Sequence, residues 1–414
     1  MSKKTGKSLS NNKKIILFSS AFILLTLVCV LVVLNLSPKN YTVAFYKIED
    51  QQKQGISEVL SSIAKKQNIE IVFTQYDSNK SLKEQLLLSK KPSLIITTSG
   101  FAVSSAVEKS SKRAGIPTDN VQGMTSSMRA AIKFDDSKKR IKALPILSSH
   151  FEMAVERSRF QNSSVKQINT WNDVERFMRE QKRHQDAPLI FAGGEPNFLL
   201  DLVGAFAESI DGISSYSDAV KILKKNENSF NATTVAKTLC DEPDSPLATT
   251  VKQLSTWYKQ GLIHQGTFSL QPIEVEAFAE GTLSSIMFMP LETHRSFAQK
   301  TISRYISSYL PSEHSANARI FTGHTYYAVP FIKSSKTEIL LNGLVSVESQ
   351  ESLSRATGLA PVLAQCRTPD KQADDARYWI AATSAPFAGL SQEVFMSKEA
   401  KKLLASEIAA RIKQ

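Results

Sequence analysis

Along residues 41–100, short unbroken apolar runs alternate with stretches whose apolar residues recur every three to four positions. TVAFYKI (42–48), IEIVFTQYD (69–77) and SLIITTS (93–99) predict strands. GISEVLSSIAKKQN, with Ile56, Val59, Leu60 and Ile63 at helical spacing, and SLKEQLLLSK predict the helices between them. Apolar strands separated by amphipathic helices imply βαβ units and a parallel sheet covered on both faces. Ligands of such sheets lie beyond the carboxyl ends of the strands. The loops 47–50 and 97–101 are therefore the first candidates, and Lys47, Glu49, Thr98 and Ser99 enter as ligand-binding residues on position alone. Lys47 and Glu49 would equally suit a solvated surface.

At KALPILSSHFEMAV (142–155) the pattern turns extended and carries a proline, as expected of a chain crossing into a second lobe. TWNDVERFMRE begins with a capping Thr170 and Asp173 three residues on, a variant of the capping box. APLIFAGG predicts a strand, 198–210 a helix, LATTVKQLSTWYKQGLI another, and VEAFAEGTLSSIMFMP a helix ended at Gly281 before a buried strand. HTYYAVPF predicts a strand, KTEILLNGLVSVESQESLSRATG one long helix, and SKEAKKLLASEIAARIKQ a final helix capped by Ser397.

Residues 15–36, IILFSSAFILLTLVCVLVVLNL, are 22 positions without a charge. At about 1.5 Å per residue such a helix crosses a hydrocarbon core of about 30 Å. The run ends without an A-x-A cleavage pattern, so an uncleaved anchor is expected rather than an export signal. Lys3, Lys4, Lys7, Lys13 and Lys14 precede it, which keeps residues 1–14 cytoplasmic and exports the remainder. Lipidation at Cys29 is disfavoured by Val28, where a small residue is normally needed. Those five lysines also account for 5 of the net charge of +12, leaving +7 spread over the rest. There is no Arg-rich stripe with interleaved aromatics and no zinc spacing, so nucleic acid is not an expected partner. Cys240 and Cys366 could form one disulfide or remain two core thiols.

Five segments in order resemble the extracellular solute-binding proteins of ABC importers, family 1, the maltose-binding-protein-like group: ALPILSSHFEMAVERSRF at the crossing, TWNDVERFMRE, AFAEGTLSSIMFM, YYAVPFIKSSKTEILLNGLVSVESQES, and GLAPVL. The resemblance implies an α/β, two-lobe periplasmic-binding-protein type II fold with an interdomain cleft, preceded here by one transmembrane helix. It places 41–148 and 311–357 in the first lobe and 149–310 and 358–414 in the second. It further implies a small polar solute, a carbohydrate first, bound by hinge closure. ABC permease subunits would be partners, the bilayer would hold residues 15–36, and the large domain would lie on the outer side of the inner membrane. No cofactor, metal or catalysis is implied.

By the same resemblance GGEPNF matches a sugar-contacting turn, giving Glu195, Asn197 and Phe198 as ligand-binding candidates. MFMPLETH puts Leu291 where sugar binders show a stacking tryptophan, with Glu292 beside it, and ARYWIAA offers Tyr378 or Trp379 as a stacking aromatic. Losing ring platforms weakens a maltodextrin reading specifically, because a sugar lays its apolar face on aromatic rings. From the residues alone, Glu195 equally suits a helix start, through the helix dipole, and Phe198 a core anchor.

An enzyme is the competing class. G-x-S-x-G, H-E-x-x-H, P-loop and G-x-G-x-x-G motifs are all missing, and the six histidines (His150, His184, His264, His294, His314, His324) are scattered. His294, two residues past Glu292, and His324, opening a strand, leave an acid/base pair open. A third reading keeps the fold but makes the chain a ligand sensor or adaptor for a membrane partner.

Overall fold

The computed structural model describes residues 41–117, 121–227, 229–312, 323–368, 371–383 and 387–414. The expected membrane segment 15–36, with Cys29, and His314 lie outside them. Among the described residues no helix is long and apolar enough to cross a membrane.

Strands β1 (Tyr41–Tyr46), β2 (Ile71–Gln75) and β3 (Leu94–Thr98) occupy the predicted positions, with slightly different ends. Their side chains explain why: β3 is buried throughout and β1 nearly so, as a strand covered on both faces must be. β4 (Lys133–Phe134) and β5 (Ile141–Ser148) follow on the same sheet. β6 (Phe151–Glu156), β7 (Leu189–Ile190), β8 (Ile286–Pro290) and β9 (Tyr305–Tyr309) build a second sheet. β10 (Thr325–Pro330) then returns to the first. The orders are β2-β1-β3-β10-β5-β4 and β7-β8-β6-β9, and apart from Tyr41 at the start of β1 both sheets lie within the compact unit Thr42–Gln414.

The first sheet is not parallel throughout, contrary to the sequence expectation. β1 and β3 run parallel, but β10 lies antiparallel between β3 and β5, with Tyr326 opposite Thr98 and Thr325 opposite Ser148. The cause is the chain path. β5 leaves the first sheet toward the second, and β10 comes back from it, entering at the end where β3 and β5 finish. In the second sheet β7 and β8 are parallel, while β6 is antiparallel to β8 and β9. Residues 47–49 and 99–100 directly follow β1 and β3, Glu195 lies in the turn after β7, and Leu291 and Glu292 open a short helix after β8, all at the strand ends where a ligand belongs in this class of sheet.

Capping boxes fix helix starts. Ser81 caps Leu82–Leu88 reciprocally with Glu84, and Thr170 caps Trp171–Gln181 reciprocally with Asp173. Each cap contributes about 1 kcal/mol. Glu195 caps Pro196–Asp211, and Ser397 caps Lys398–Lys413.

Two helices differ from expectation. The first runs Asp50–Lys66, so Gly55 is interior rather than initial. There a Cβ would stand 2.9 Å from the Thr357 methyl, so the glycine admits a neighbouring helix. That neighbour belongs to the second difference: the predicted long helix is two, Ser335–Leu344 and Val347–Thr357. Ser346 breaks it, because its hydroxyl accepts the Ser349 amide and starts a new helix. Cys240 and Cys366 are both free and buried, which resolves the alternative in favour of two core thiols.

Around the second sheet Trp171, Phe206, Trp257 and Phe288 form one aromatic core, with Trp171 and Phe206 centroids 4.4 Å apart. A smaller core of Ala44, Tyr46, Ile95, Val103 and Tyr327 lies on the first sheet.

Candidate functional site

Where the loops following β1, β3 and β7 converge, they enclose a cavity of about 430 Å³. Lys47, Glu49, Thr98, Ser99 and Phe101 line it from the first sheet's side, and Glu195, Asn197, Asp201, Ser391, Phe395 and Lys401 from the other. His324, immediately before β10, completes the wall. Gly100 lets the two sides meet. Its φ of 76° and ψ of −137° suit glycine, and a Cβ there would lie 2.2 Å from the Gln392 carbonyl oxygen.

At the base of the cleft lies a buried ionic chain. Asp201 sits in an otherwise apolar helix and accepts the Ser391 amide at 2.8 Å and the Ser391 hydroxyl at 3.0 Å. His324 Nε2 lies 3.4 Å from Asp201 Oδ2, and its Nδ1 lies 2.8 Å from Glu292 Oε1. Ser149 donates to the other Glu292 oxygen. Burial opposes the charge on His324, but Glu292 and Asp201 raise its pKa to about 10, so it is a cation at neutral pH. Burial likewise opposes the Glu292 charge, yet His324 and Ser149 hold its carboxyl below the ordinary range. A first-sheet residue is thereby paired to two carboxylates carried by the second sheet's loops and helices.

The rims carry opposite characters. Glu49 is open to the cleft but enclosed by protein, and that burial, followed by the nearby Glu292 charge, raises its carboxyl. Glu195 accepts its own helix's Asn197 amide at 3.2 Å, so it is both a cap and a cleft residue. Lys47 donates to the Ser78 carbonyl and lies 5.6 Å from the Phe395 ring centroid. Burial, then the charge of Lys401, lowers it to about 8. Phe101 and Phe395, both half-buried, stand 5.3 Å apart at the wall.

The structure therefore brings Lys47, Glu49, Thr98, Ser99, Glu195 and Asn197 together and leaves the other candidates elsewhere. Phe198 is core, packed 5.4 Å from Phe151. Leu291 is fully buried and has no face to offer a ring or a ligand. Glu292 lies beneath the cleft, engaged by His324 and Ser149. Tyr378 is exposed outside the cavity, against Arg377, and Trp379 packs on His150 and Tyr309. The aromatic rings of the cleft are instead Phe101, which closes the predicted loop 97–101, and Phe395, which no sequence signal marked. Asp201 did have a signal: an acid inside FLLDLVGAF must find a partner.

A second buried chain lies between β6 and β9. His294 Nδ1 is 2.5 Å and the Ser307 hydroxyl 2.9 Å from Glu152 Oε1, while His150 Nε2 is 3.3 Å from Oε2. The three ionisable side chains are inaccessible to solvent. Among the described residues no cluster of His, Cys, Asp or Glu is arranged to hold a metal ion.

No protein-family model matches the chain, and no curated protein matches its sequence. Solved structures do match. The bacterial solute receptor AcbH, described as exclusively preferring β-D-galactopyranose, superposes with a TM-score of 0.64 at 11% identity, over 90% of this chain and 98% of its own. RafE from Streptococcus pneumoniae gives 0.62 at 11%, over 91% and 98%. The extracellular solute-binding protein from Staphylococcus aureus, solved with maltose, gives 0.55 at 13%, over 91% and 98%. The chain has the two-lobe fold of the extracellular solute-binding proteins. In this solute-binding fold the two sheets are the lobes' centres, and the cavity lies between the loops that follow them.

Proposed function

We propose that this chain is an extracytoplasmic solute-binding protein of an ABC importer, taking a sugar or similar small polar solute and catalysing nothing. The observation that carries the reading is the cleft itself: donors, acceptors and two phenyl rings from both sides face one cavity large enough for a small solute. Lys47, Glu49, Thr98, Ser99, Glu195 and Asn197 would contact it, with Phe101 or Phe395 beneath its apolar face. Contacts from both lobes exist together only when the cleft is closed, so the solute shifts the hinge equilibrium toward closure. The lobes are 41–148 with 311–357, and 149–310 with 358–414, and the closed surface docks on permease subunits. Residues 15–36 hold the protein to the membrane. His324 has both ring nitrogens beside carboxylates, so it serves the cleft's architecture rather than proton transfer. The likeness to receptors solved with maltose and with raffinose supports a carbohydrate as the first candidate.

A thermal-shift screen of residues 40–414 against neutral and acidic sugars, polyols, amino acids, short peptides and phosphate esters tests this. A solute at 100 times its Kd stabilises the native state by about 2.7 kcal/mol. That raises Tm by roughly 3 °C for a domain of this size. No shift from any compound at millimolar concentration contradicts the reading.

A further inference from the structure

The charges lining the cleft are arranged in a way that a neutral sugar does not explain. Lys47 comes from the loop after β1 and Lys401 from the first turn of Lys398–Lys413, on opposite sides of the cavity. Among the described residues neither ammonium forms an ion pair. Lys47 has only the Ser78 carbonyl and the Tyr46 and Phe395 rings, and Lys401 only the Asn197 side-chain oxygen at 2.8 Å. Their placement is locally unfavourable twice over. Lys47 holds a left-handed backbone, φ 59°, which a residue with a side chain adopts at a cost and which clusters at ligand sites. Lys401, with Lys398 beside it, stands at a helix N-terminus, where the dipole disfavours cations and attracts anions.

The acids nearby do not supply the missing counter-charge. Asp201 is held by Ser391 and His324. Glu195 and Glu49 line the same cavity as acceptors suited to hydroxyl groups. Asp77 acts on Lys47 against burial and Lys401, and Asp201 and Glu195 act likewise on Lys401, but both ammonium groups remain shifted toward the neutral form. Two cations that line one cavity and act on each other repel unless an anion lies between them.

We propose that the solute is acidic: a polyhydroxylated molecule bearing one carboxylate or phosphate, which lies between Lys47 and Lys401 while its hydroxyls meet Glu49 and Glu195. The proposal rests on the solute-binding reading and specifies the charge of what that site takes.

Probes that differ only in the acid test it by calorimetry at low ionic strength: D-galactose with D-galacturonate, and D-glucose with D-glucuronate and glucose 6-phosphate. Any hit of the screen is paired with its neutral or acidic counterpart, and inorganic phosphate is the free-anion control. A charge-assisted contact predicts that the acid of at least one pair binds about tenfold or more tightly than its neutral partner. Added salt should weaken the acid alone. Lys47→Met and Lys401→Met should each bring the ratio of acid to neutral affinity down toward one, whatever either does to the binding of both members of a pair. Galacturonate or glucuronate as the preferred acid identifies a carboxylate, and glucose 6-phosphate a phosphate. Equal binding within every pair, or binding by neutral members alone, overturns the proposal and leaves solute binding standing. Inorganic phosphate binding as tightly as the sugar acids overturns the polyol part. No binding by any compound, in the pairs or the screen, overturns both.

Discussion

Replacing His324 by alanine is expected to lower the unfolding free energy by about 3–5 kcal/mol, because it strands two buried carboxylates that share one cation. Glu292 and Asp201 lose their common partner, and Glu49, whose carboxyl Glu292 already raises, gains no relief. Urea denaturation reads the loss as a fall in midpoint at constant slope. The double variant His324→Ala, Glu292→Gln should recover part of it, since the second change removes the stranded charge. A loss below about 1 kcal/mol in the single variant would mean that the chain does not bind the lobes' elements together. The same group sets the alkaline limb. Its pKa rises from 6.5 unfolded to about 10 folded, so its stabilisation is complete below about pH 6.5 and disappears as pH climbs through 10.

Acid should remove a comparable amount from the second lobe. Burial works against the charged Glu152, but His294, His150 and their hydrogen bonds lower its pKa from 4.5 to about 2. A depressed carboxyl contributes stability above its unfolded value and loses it as pH falls through the folded one. On the order of 3 kcal/mol should therefore vanish between pH 4.5 and 2. Glu152→Gln should be less stable at neutral pH and show a flatter acid limb. An acid limb as steep in the variant as in the wild type would locate the acid sensitivity elsewhere.

The strands were legible wherever burial on both faces leaves a continuous apolar run, as in LIITT and IMFMP. Helix starts were legible where a side chain caps the backbone, at Thr170 and Ser397. What stayed hidden depends on contacts distant in sequence. Nothing in HTYYAVPF tells that β10 inserts antiparallel between β3 and β5, because its partners lie more than 150 residues upstream. Lys47, Glu49, Thr98 and Ser99, named from loop position, and Glu195 and Asn197, named from the resemblance, line the cavity. Aromatic matching misled, since Leu291 and Trp379 sit in packing positions while Phe101 and Phe395 supply the rings at the cleft. Both buried ionic chains were visible as anomalies, an acid in FLLDLVGAF and another in HFEMAVE, but His324, the partner of Asp201, and His294, a partner of Glu152, lie 123 and 142 residues away.

On the proposed reading one cleft, with contacts from both lobes, holds a small polar solute. The most direct test of that reading is calorimetric titration of the compound giving the largest thermal shift into the wild type and into Glu49→Gln and Glu195→Gln, one residue from each side. Each substitution should cost about tenfold or more in affinity, as loss of a charged hydrogen-bond acceptor does. Undiminished affinity in both variants would contradict the account.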